Sequence, residues 1–565
     1  MHTAKLCGTC LAAVVGCFGL GAFAQGAKTL ERPWQPVVLD AGAFPELHAT
    51  PVEHIHVFAY RSSPEGGVWE RIPFQIDEKD SADYFSFPHN RVFDGFDQLV
   101  FMARDMGDQA PPEAWVDDVA SRGHPRIEIE VRDGLDPTQK AWAYLYVSSS
   151  LASQPSFSYG LSVNWKSPDS NWVETNAYAV GFAPSGLIGD ARIKPEGGGT
   201  GVHLVDTQKL RMVGLFRHQA LKFYLGKRGN PPGNERDFFR RVPDSTKVIG
   251  GEVRVVVREW VQLWIMGVMP LPVGFPLTTY FYPYSVSFGG AIDSTSMPAD
   301  TEIWLDLVRQ SLDLTPQAQG MRFYNAYNSD GLLVDGVPDS PVTTLQTPGL
   351  DWAMVTGEQG TIVTLTRVPR LGSQQQLYYW DNATGGSADG THQFLWGGDT
   401  GDGVSYGDFG YMFTGDSFGV ALSFELTGYF LPGNQQPSVG EALRQWTAAG
   451  IVVNVAAQTY TSAVGVGRPG GAPGELALHQ NFPNPFNPQT VLRVELPVGV
   501  GAELRILDSG GRLVRRFDLR GGSPGVQEVV WDGRNEHGAE LPSGVYVAVL
   551  RSQAGVASRK VLLVR

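Results

Sequence analysis

Short runs of alternating polar and apolar residues, broken by glycine and proline, most constrain how this chain can fold. Of its 565 residues, 68 are glycine and 38 are proline, whereas glycine makes up about 7% of an average protein. Between these breaks, Arg126–Arg132 places Ile127, Ile129 and Val131 on one face, as a half-buried strand does. The pattern predicts many short strands and few long helices.

The pattern also predicts antiparallel rather than parallel sheets. Further strand-like runs occur at residues 53–60, 141–147, 251–258 and 361–367. A helix is predicted only near Ser438, where Ser438 and Glu441 are spaced as a capping box and Gly450 offers a stop. Without a strand–helix–strand rhythm, the predicted fold class is all-β, with a large antiparallel β-sandwich as the body.

The N-terminus has the features of a signal peptide over residues 1–24. Lys5 precedes an apolar run to Leu20, and small residues flank a cleavage position before Gln25. Lipoprotein processing at Cys17 is the open alternative. Cys7, Cys10 and Cys17 all precede this cleavage position, so the mature chain has no disulfide, thiol nucleophile or cysteine metal site. No later run is long enough to predict a transmembrane span.

Composition divides the rest of the chain into four parts. We predict an N-terminal β domain at 25–150, a large β-sandwich region at 151–463, a Gly/Pro-rich linker at 464–474 and a C-terminal domain at 475–565. The net charge is −14, and the acidic excess lies outside the C-terminal domain. An acidic body excludes nucleic acid as an expected partner, because binding to phosphates requires clustered basic residues.

The C-terminal domain carries a distinctive set of motifs. A proline-rich segment is followed by six or seven strand-like runs, which predicts an immunoglobulin-like sandwich. The motif residues are Asn484, Pro485, Phe486, Asn487, Pro488, Trp531, Asp532, Gly533, Gly544 and Tyr546. Together they resemble the type A C-terminal sorting domain of type IX secretion cargo. A plain accessory Ig-like domain, similar to that of a flagellar hook-assembly protein, is the alternative.

The resemblance to a sorting domain implies a destination for the chain. It implies recognition by the outer-membrane type IX secretion machinery, passage through the periplasm, and an extracellular or cell-surface location. The body adds a second resemblance, because residues 72–80 and 93–105 are similar to a segment of uncharacterised exported bacterial proteins. That likeness implies no activity.

Aromatic and polar residues form the best candidate binding site in the body. The candidate ligand-binding residues are Tyr378, Tyr379, Trp380, Asp381, Asn382, Trp396 and Tyr406. Flat aromatic faces beside amides and carboxylates are typical of glycan sites, since CH groups stack on the rings and polar groups bind hydroxyls. The alternative is that these aromatics are core residues of two strands joined by turns.

Three aspartates in the same region suggest a cation site. Asp399, Asp402 and Asp408 supply hard oxygen ligands of the kind that Ca²⁺ prefers, although they do not follow the EF-hand spacing. Ordinary Asp-Gly turns are the alternative. No cofactor other than Ca²⁺ is indicated.

Two other functions stay open beside glycan binding. A polysaccharide lyase or hydrolase on a β-sandwich would need acid–base groups, for which His203, Asp206, Arg217 and His218 are candidates. No convincing catalytic motif is present, so we favour a non-enzymatic protein. A structural or adhesive surface component is the third reading.

Overall fold

A computed structural model describes most of the chain between residues 26 and 564. The described residues are 26–63, 66–79, 90–151, 155, 157–165, 171–183, 186–218, 221–225, 233–234, 239–242, 245–265, 269–293, 301–340, 350–367, 374–383, 405–414, 421–460, 477–479, 481, 484, 486–496, 501–508, 512–519, 525–552 and 555–564. The predicted signal peptide and linker lie outside them. Residue contacts divide the chain into two units, Met1–Ser462 and Ala463–Arg565.

The first unit is built almost entirely of strands. In chain order these are β1 (Pro36–Asp40), β2 (Thr50–Pro51), β3 (Ile55–Arg61), β4 (Val68–Arg71), β5 (Phe74–Asp77), β6 (Val92–Phe93), β7 (Gln98–Met102), β8 (Arg126–Asp133), β9 (Lys140–Val147), β10 (Ser162–Asn164), β11 (Asn171–Glu174), β12 (Tyr178–Phe182), β13 (Ile188–Ile193), β14 (Val205–His218), β15 (Leu221–Leu225), β16 (Gly233–Asn234), β17 (Phe239–Arg241), β18 (Lys247–Ile249), β19 (Val255–Ile265), β20 (Met269–Tyr282), β21 (Ser285–Asp293), β22 (Thr301–Leu314), β23 (Arg322–Asn325), β24 (Leu332–Leu333), β25 (Leu350–Gly357), β26 (Gly360–Arg367), β27 (Gln374–Asn382), β28 (Ser405–Thr414), β29 (Ala421–Leu431) and β30 (Ile451–Gln458).

Helices are few within the described residues. The α-helix α1 spans Ser438–Ala449, and short 3-10 turns span Ala41–Ala43, Pro45–Leu47, Val52–His54, Ala103–Asp105, Ala120–Gly123, Pro195–Gly197 and Pro316–Ala318. The predicted all-β class is therefore confirmed.

The predicted capping box of α1 is wrong. Pro437 is the N-cap residue and makes no side-chain cap. Glu441 instead accepts hydrogen bonds from Trp352 Nε1 at 3.0 Å and from Arg444 Nη2 at 2.6 Å. Side-chain hydrogen bonds to β25 and within the first turns of α1 therefore stabilise the helix. The helix ends before Gly450, whose φ of +67° lies in the left-handed region that favours glycine.

Two large antiparallel sheets form the sandwich of the first unit. The first sandwich sheet has the order β10-β11-β12-β13-β14-β22-β28-β27, with β15 and β16 also paired to β14. The second has the order β17-β19-β20-β21-β29-β26-β25-β23-β24, with β18 paired to β19. Their facing sides share one apolar core, to which Leu312, Phe409 and Tyr379 contribute from the first sheet and Val257, Phe281 and Ile362 from the second.

Smaller sheets formed mainly by the N-terminal strands enclose a second core. They have the orders β30-β8-β9-β3-β4, β1-β7-β5 and β2-β6, and their core includes Val57, Phe101 and Ile129. Strand β30 is contributed by residues 451–458, which pair with β8 more than 300 positions earlier. A strand from the C-terminal end of the first unit therefore pairs with the sheet that the N-terminal strands form.

A buried ion pair joins the N-terminal sheets to the second sandwich sheet. The guanidinium of Arg254, beside β19, forms an ion pair with Asp77 of β5, and both side chains are at most 2% exposed. Arg254 Nη2 also donates to Gln98 Oε1 at 2.8 Å, and its backbone N–H donates to Gln75 Oε1 at 3.0 Å. Arg254 thus meets three hydrogen-bonding residues of two strands, β5 and β7, where the N-terminal sheets adjoin the second sandwich sheet.

The second unit is an immunoglobulin-like sandwich. Its strands are β31 (Ala477–Leu478), β32 (Thr490–Leu496), β33 (Ala502–Leu507), β34 (Leu513–Asp518), β35 (Gly525–Trp531), β36 (Gly544–Ser552) and β37 (Gly555–Leu563). They form one sheet of order β31-β32-β35 and one of order β34-β33-β36-β37. A core that includes Leu492, Leu504 and Trp531 lies between them, which confirms the predicted fold of the C-terminal domain.

Replacing Asp77 by asparagine should destabilise the body strongly. Arg254 would keep its charge in a buried site and lose the carboxylate of Asp77, and breaking such a pair costs about 3–5 kcal/mol. Urea unfolding of the full chain, followed by tryptophan fluorescence, measures the change. The matched control is Glu425→Gln, which breaks the exposed pair between Arg367 and Glu425 and should cost less than about 1 kcal/mol. A D77N variant as stable as this control would contradict the assigned role.

Candidate functional site

The predicted glycan-binding residues are divided between the two faces of the first sandwich sheet. Those within the described residues lie on β27 and β28, where successive side chains point to opposite sides. Tyr379 points inward, and its ring stacks on Phe323 with centroids 4.1 Å apart. Tyr406 also packs against this core, so these two aromatics are core residues.

Asp381 and Asn382 are likewise buried, at 1% and 3% exposure. Asp381 Oδ2 accepts hydrogen bonds from the backbone N–H groups of Asp335 and Gly336, at 2.8 and 3.0 Å. Burial raises the pKa of Asp381 to about 6, against the effect of those two hydrogen bonds. Asp381 therefore holds a neighbouring loop in place.

Tyr378, Trp380 and Asp408 lie together on the opposite face. Tyr378 and Trp380 pack with Met412, and Trp380 is the cross-strand partner of Asp408. Tyr378 and Asp408 are buried, whereas Trp380 is only partly buried, on β27, the last strand of this sheet within the described residues. These three predicted residues form one local site that meets solvent at its edge.

Residues that the sequence did not single out complete this site. In one row across the sheet, Lys209 lies opposite Ser311, Ser311 opposite Gly410 and Gly410 opposite Tyr378. In the next row, Arg211 lies opposite Arg309 and Arg309 opposite Met412. We call this set, together with Asp313, Asp408 and Trp380, the charged face.

The charges of this face are close together and shielded from water. Lys209 Nζ lies 2.5 Å from Asp313 Oδ2, and both side chains are at most 1% exposed. Arg309 Nη1 donates to the Tyr378 hydroxyl at 2.8 Å, and Arg309 Nη2 lies 3.8 Å from Asp408 Oδ2. Buried arginine beside carboxylate and hydroxyl groups is chemically suited to bind a polar ligand with defined geometry.

Sequence reasoning missed these residues for a physical reason. Alternating polar residues in β14 and β22 have the pattern of a solvent-facing strand side, so nothing marks Lys209, Arg211 or Arg309 as buried. Their partners also lie about 100 positions away along the chain. The alternation of polar residues in Arg309-x-Ser311-x-Asp313 is the sequence sign of this part of the site.

The predicted calcium site is described only at Asp408. Asp399, Asp402 and Trp396 lie outside the described residues. Among the residues that the structure does describe, no group of three or more His, Cys, Asp or Glu side chains is arranged to hold a metal ion.

The candidate acid–base groups of the enzyme alternative are far apart. His203 precedes β14, whereas Arg217 and His218 lie at the far end of that 14-residue strand, roughly 40 Å away at about 3.3 Å per residue. His203 Nε2 lies 2.7 Å from the Val205 carbonyl oxygen, and Asp206 is exposed. These residues do not form one site.

The motif residues of the C-terminal domain serve two different purposes. Trp531 is fully buried between the rings of Phe486 and Tyr546, at centroid distances of 5.2 and 5.4 Å. The Tyr546 hydroxyl donates to the Pro542 carbonyl at 2.8 Å. These aromatics form part of the core of the Ig-like domain.

The Trp-Asp-Gly motif continues into a tight turn. Asp532 Oδ1 accepts from the Arg534 N–H at 3.1 Å. Gly533 has φ +67°, and a Cβ there would lie 3.2 Å from the Pro488 carbonyl oxygen, so the turn and the close approach both favour glycine. Gly544 begins β36 opposite Leu563.

The segment around Asn484 is fastened to the last strand. Asn484 Oδ1 accepts from the Leu562 N–H at 2.8 Å, and its Nδ2 donates to the Lys560 carbonyl at 3.3 Å. Phe486 continues this contact, since its N–H donates to the Leu562 carbonyl at 2.9 Å. Asn487 and Pro488 stay exposed, and Pro485 lies outside the described residues. The segment thus presents polar surface beside β37.

A comparison with protein families matched part of the C-terminal domain. Residues 485–555 match the family model of the FlgD Ig-like domain. A comparison with curated proteins gave no match.

A comparison with solved structures gave matches at low sequence identity. An alpha-mannosidase from Enterococcus faecalis is 10% identical, covering 88% of this chain and 53% of its own, with a TM-score of 0.38. Latent PorU from Porphyromonas gingivalis is 12% identical, covering 89% and 42%, with a TM-score of 0.13. PorZ, a surface component of the type IX secretion system of the same organism, is 10% identical, covering 75% and 62%, with a TM-score of 0.12.

The coverage of the solved chains and the TM-scores of these matches are low. The chain spans about half the length of the mannosidase. With TM-scores below 0.5, none of the three carries an argument about this protein.

None of the described helices has the length and apolarity that crossing a membrane requires.

Replacing Asn484 by alanine should loosen the contact with β37. The variant loses the acceptor for the Leu562 N–H, so this amide should exchange with deuterium faster, by about five- to tenfold if one hydrogen bond is worth about 1 kcal/mol. Hydrogen-exchange mass spectrometry on the full chain measures this in peptides covering residues 556–564. The exposed neighbour Gln489→Ala is the control and should leave exchange unchanged. Equal exchange in both variants would show that Asn484 does not fasten the segment.

Proposed function

We propose that this protein is a type IX secretion cargo, delivered to the cell surface or the medium, whose body binds glycans through the charged face. The sorting role is supported by the difference in burial among the residues of the C-terminal motifs. The core aromatics and the Gly533 turn are accounted for by folding, whereas Asn487 and Pro488 are exposed beside β37. Exposed motif residues without a folding role are suited to recognition by the outer-membrane secretion machinery.

The glycan-binding role is supported by the arrangement at the edge of the first sandwich sheet. Trp380 is only partly buried on β27 and lies opposite Asp408, and on the same face the Tyr378 hydroxyl accepts a hydrogen bond from Arg309. An indole ring can stack on a sugar while neighbouring carboxylate, hydroxyl and guanidinium groups bind its hydroxyls. Tyr379, Asp381 and Tyr406 are assigned to the core and are not part of this proposal.

Removing residues 475–565 should stop export across the outer membrane. In a bacterium with a type IX system, the full chain should reach the surface or the medium, and the truncated chain should accumulate in the periplasm. Cell fractionation followed by immunoblotting measures this. Attaching residues 464–565 to a periplasmic reporter should redirect the reporter in the same way, and a strain without the secretion translocon should abolish both effects. Unchanged export of the truncated chain would favour a plain accessory Ig-like domain.

Replacing Trp380 by alanine should weaken glycan binding by about tenfold, which corresponds to about 1.4 kcal/mol for the lost ring contact. Binding of the full chain to an array of polysaccharides measures the change. Trp260→Ala is the matched control, because Trp260 is 43% exposed on β19 of the second sandwich sheet, away from the charged face. If the chain bound no glycan on the array, or if both variants lost binding equally, the proposed site would be wrong.

A further inference from the structure

Three aspartates lie together at the end of β27, and we call Asp335, Asp339 and Asp381 the acidic cluster. Asp381 is the penultimate residue of that strand, and its Oδ2 accepts from the backbone N–H groups of Asp335 and Gly336. Asp339 follows in the same loop. Burial raises the pKa of Asp381 to about 6, and the charges of Asp335 and Asp339 act in the same direction. The three carboxylates are therefore close enough to repel one another.

Backbone hydrogen bonds fix the loop that carries Asp335. The Val334 N–H donates to the Met321 carbonyl at 2.9 Å, and the Ala383 N–H donates to the Gly336 carbonyl at 2.9 Å. These contacts join the loop to the start of β23 and to the end of β27. The acidic cluster is thus positioned by the fold of the body.

Buried oxygen atoms beside the acidic cluster lack hydrogen-bond partners. Within the described part of the chain, these atoms are Asp381 Oδ1, Asp339 Oδ2 and the Tyr379 hydroxyl. Asp381 and Tyr379 are only 1% and 4% exposed. Burial raises the pKa of Tyr379, and the charges of the acidic cluster raise it further, so the hydroxyl is directed toward these carboxylates. Since buried polar atoms are nearly always satisfied in folded proteins, the three oxygens indicate a bound group.

The charges around these oxygens indicate that the bound group is a cation. Among the described residues, no lysine or arginine pairs with the acidic cluster. Carboxylates that share a site shielded from water disfavour each other's ionisation, and a cation between them offsets this cost. Asp339 is only partly buried, so a single ion reaches the cluster from solvent without a wide cavity.

We infer that Asp339 and Asp381, together with the Tyr379 hydroxyl, bind a calcium ion that fastens the loop to the end of β27. Ca²⁺ prefers oxygen ligands in an adaptable geometry and completes its coordination with carbonyl groups and water, whereas Mg²⁺ requires a near-ideal octahedron.

Asp335 contributes charge to this site and is not assigned as a ligand. Its Oδ1 accepts from the Val337 N–H at 2.9 Å, and the described residues include no group of three or more His, Cys, Asp or Glu side chains arranged to hold a metal ion. With two ligating carboxylates, we expect a dissociation constant of about 10⁻⁴–10⁻³ M, the range of extracellular calcium modules.

Calcium titration of the chelator-treated full chain tests the site at constant ionic strength. Isothermal titration with CaCl₂ should give a constant in the expected range, and MgCl₂ should bind at least about tenfold more weakly. Asp339→Asn removes one ligating charge and should weaken calcium binding at least about tenfold. Asp117→Asn is the matched control, because the Asp117 side chain is fully exposed in the N-terminal part of the body, and it should bind as wild type does.

Hydrogen-exchange mass spectrometry locates the ion. Calcium should slow exchange in peptides covering residues 332–340 of the wild-type chain, and it should have no such effect in Asp339→Asn. If that variant fails to fold, Tyr379→Phe keeps the ring that stacks on Phe323 and removes only the hydroxyl. It should weaken calcium binding by several-fold, which a purely structural hydroxyl would not do.

Three results would overturn the inference. The first is no binding of calcium at about 10 mM, tenfold above the expected constant. The second is equal calcium affinity of wild type and Asp339→Asn, or of wild type and Tyr379→Phe, which would place any bound ion elsewhere in the chain. The third is equal affinity for calcium and magnesium, which would contradict the assignment to calcium. Weaker binding by both variants, with calcium preferred and residues 332–340 protected, supports it.

Discussion

The alternation of side chains across paired strands is the constraint on which the body of this protein depends. Each strand of the first sandwich sheet sends one set of residues to the shared core and the other to the opposite face. On β27 this rule separates Tyr379 from its neighbours Tyr378 and Trp380. It also collects Lys209, Arg211, Arg309 and Asp408 from strands that are distant in the sequence. The candidate site is therefore a consequence of register.

Buried ion pairs decide how the sheets of the body join. Arg254 and Asp77 connect the second sandwich sheet to the N-terminal strands. A second pair, Arg32 and Asp133, makes two hydrogen bonds of 2.8 Å, while Arg32 also donates to the Trp446 carbonyl at the end of α1. The Arg32 hydrogen bond lowers the pKa of Asp133. Such pairs add less stability than apolar contacts would, but they tolerate few alternative arrangements.

Much of the fold could be predicted, and particular residues show why. Ile127, Ile129 and Val131 are all fully buried, as their spacing predicts, because a two-residue period is a local property of a strand. The helix at Ser438 was also predictable from its apolar spacing, although its capping box was not formed. Glu441 found partners in Trp352 and Arg444 instead, and contact with a residue 89 positions away cannot be inferred from helix spacing.

The candidate site was predictable only in part. The aromatic and polar residues at 378–382 predicted a binding site, but the sequence does not indicate which of these side chains face the core. In the C-terminal domain the motifs alone pointed to an Ig-like fold, and only the structure separated buried Trp531 and Tyr546 from exposed Asn487 and Pro488. The sequence by itself determined strands, turns and the C-terminal domain, because these depend on local periodicity and on glycine and proline. Tertiary structure decided which charges meet and which are buried, because pairing partners are chosen by long-range packing.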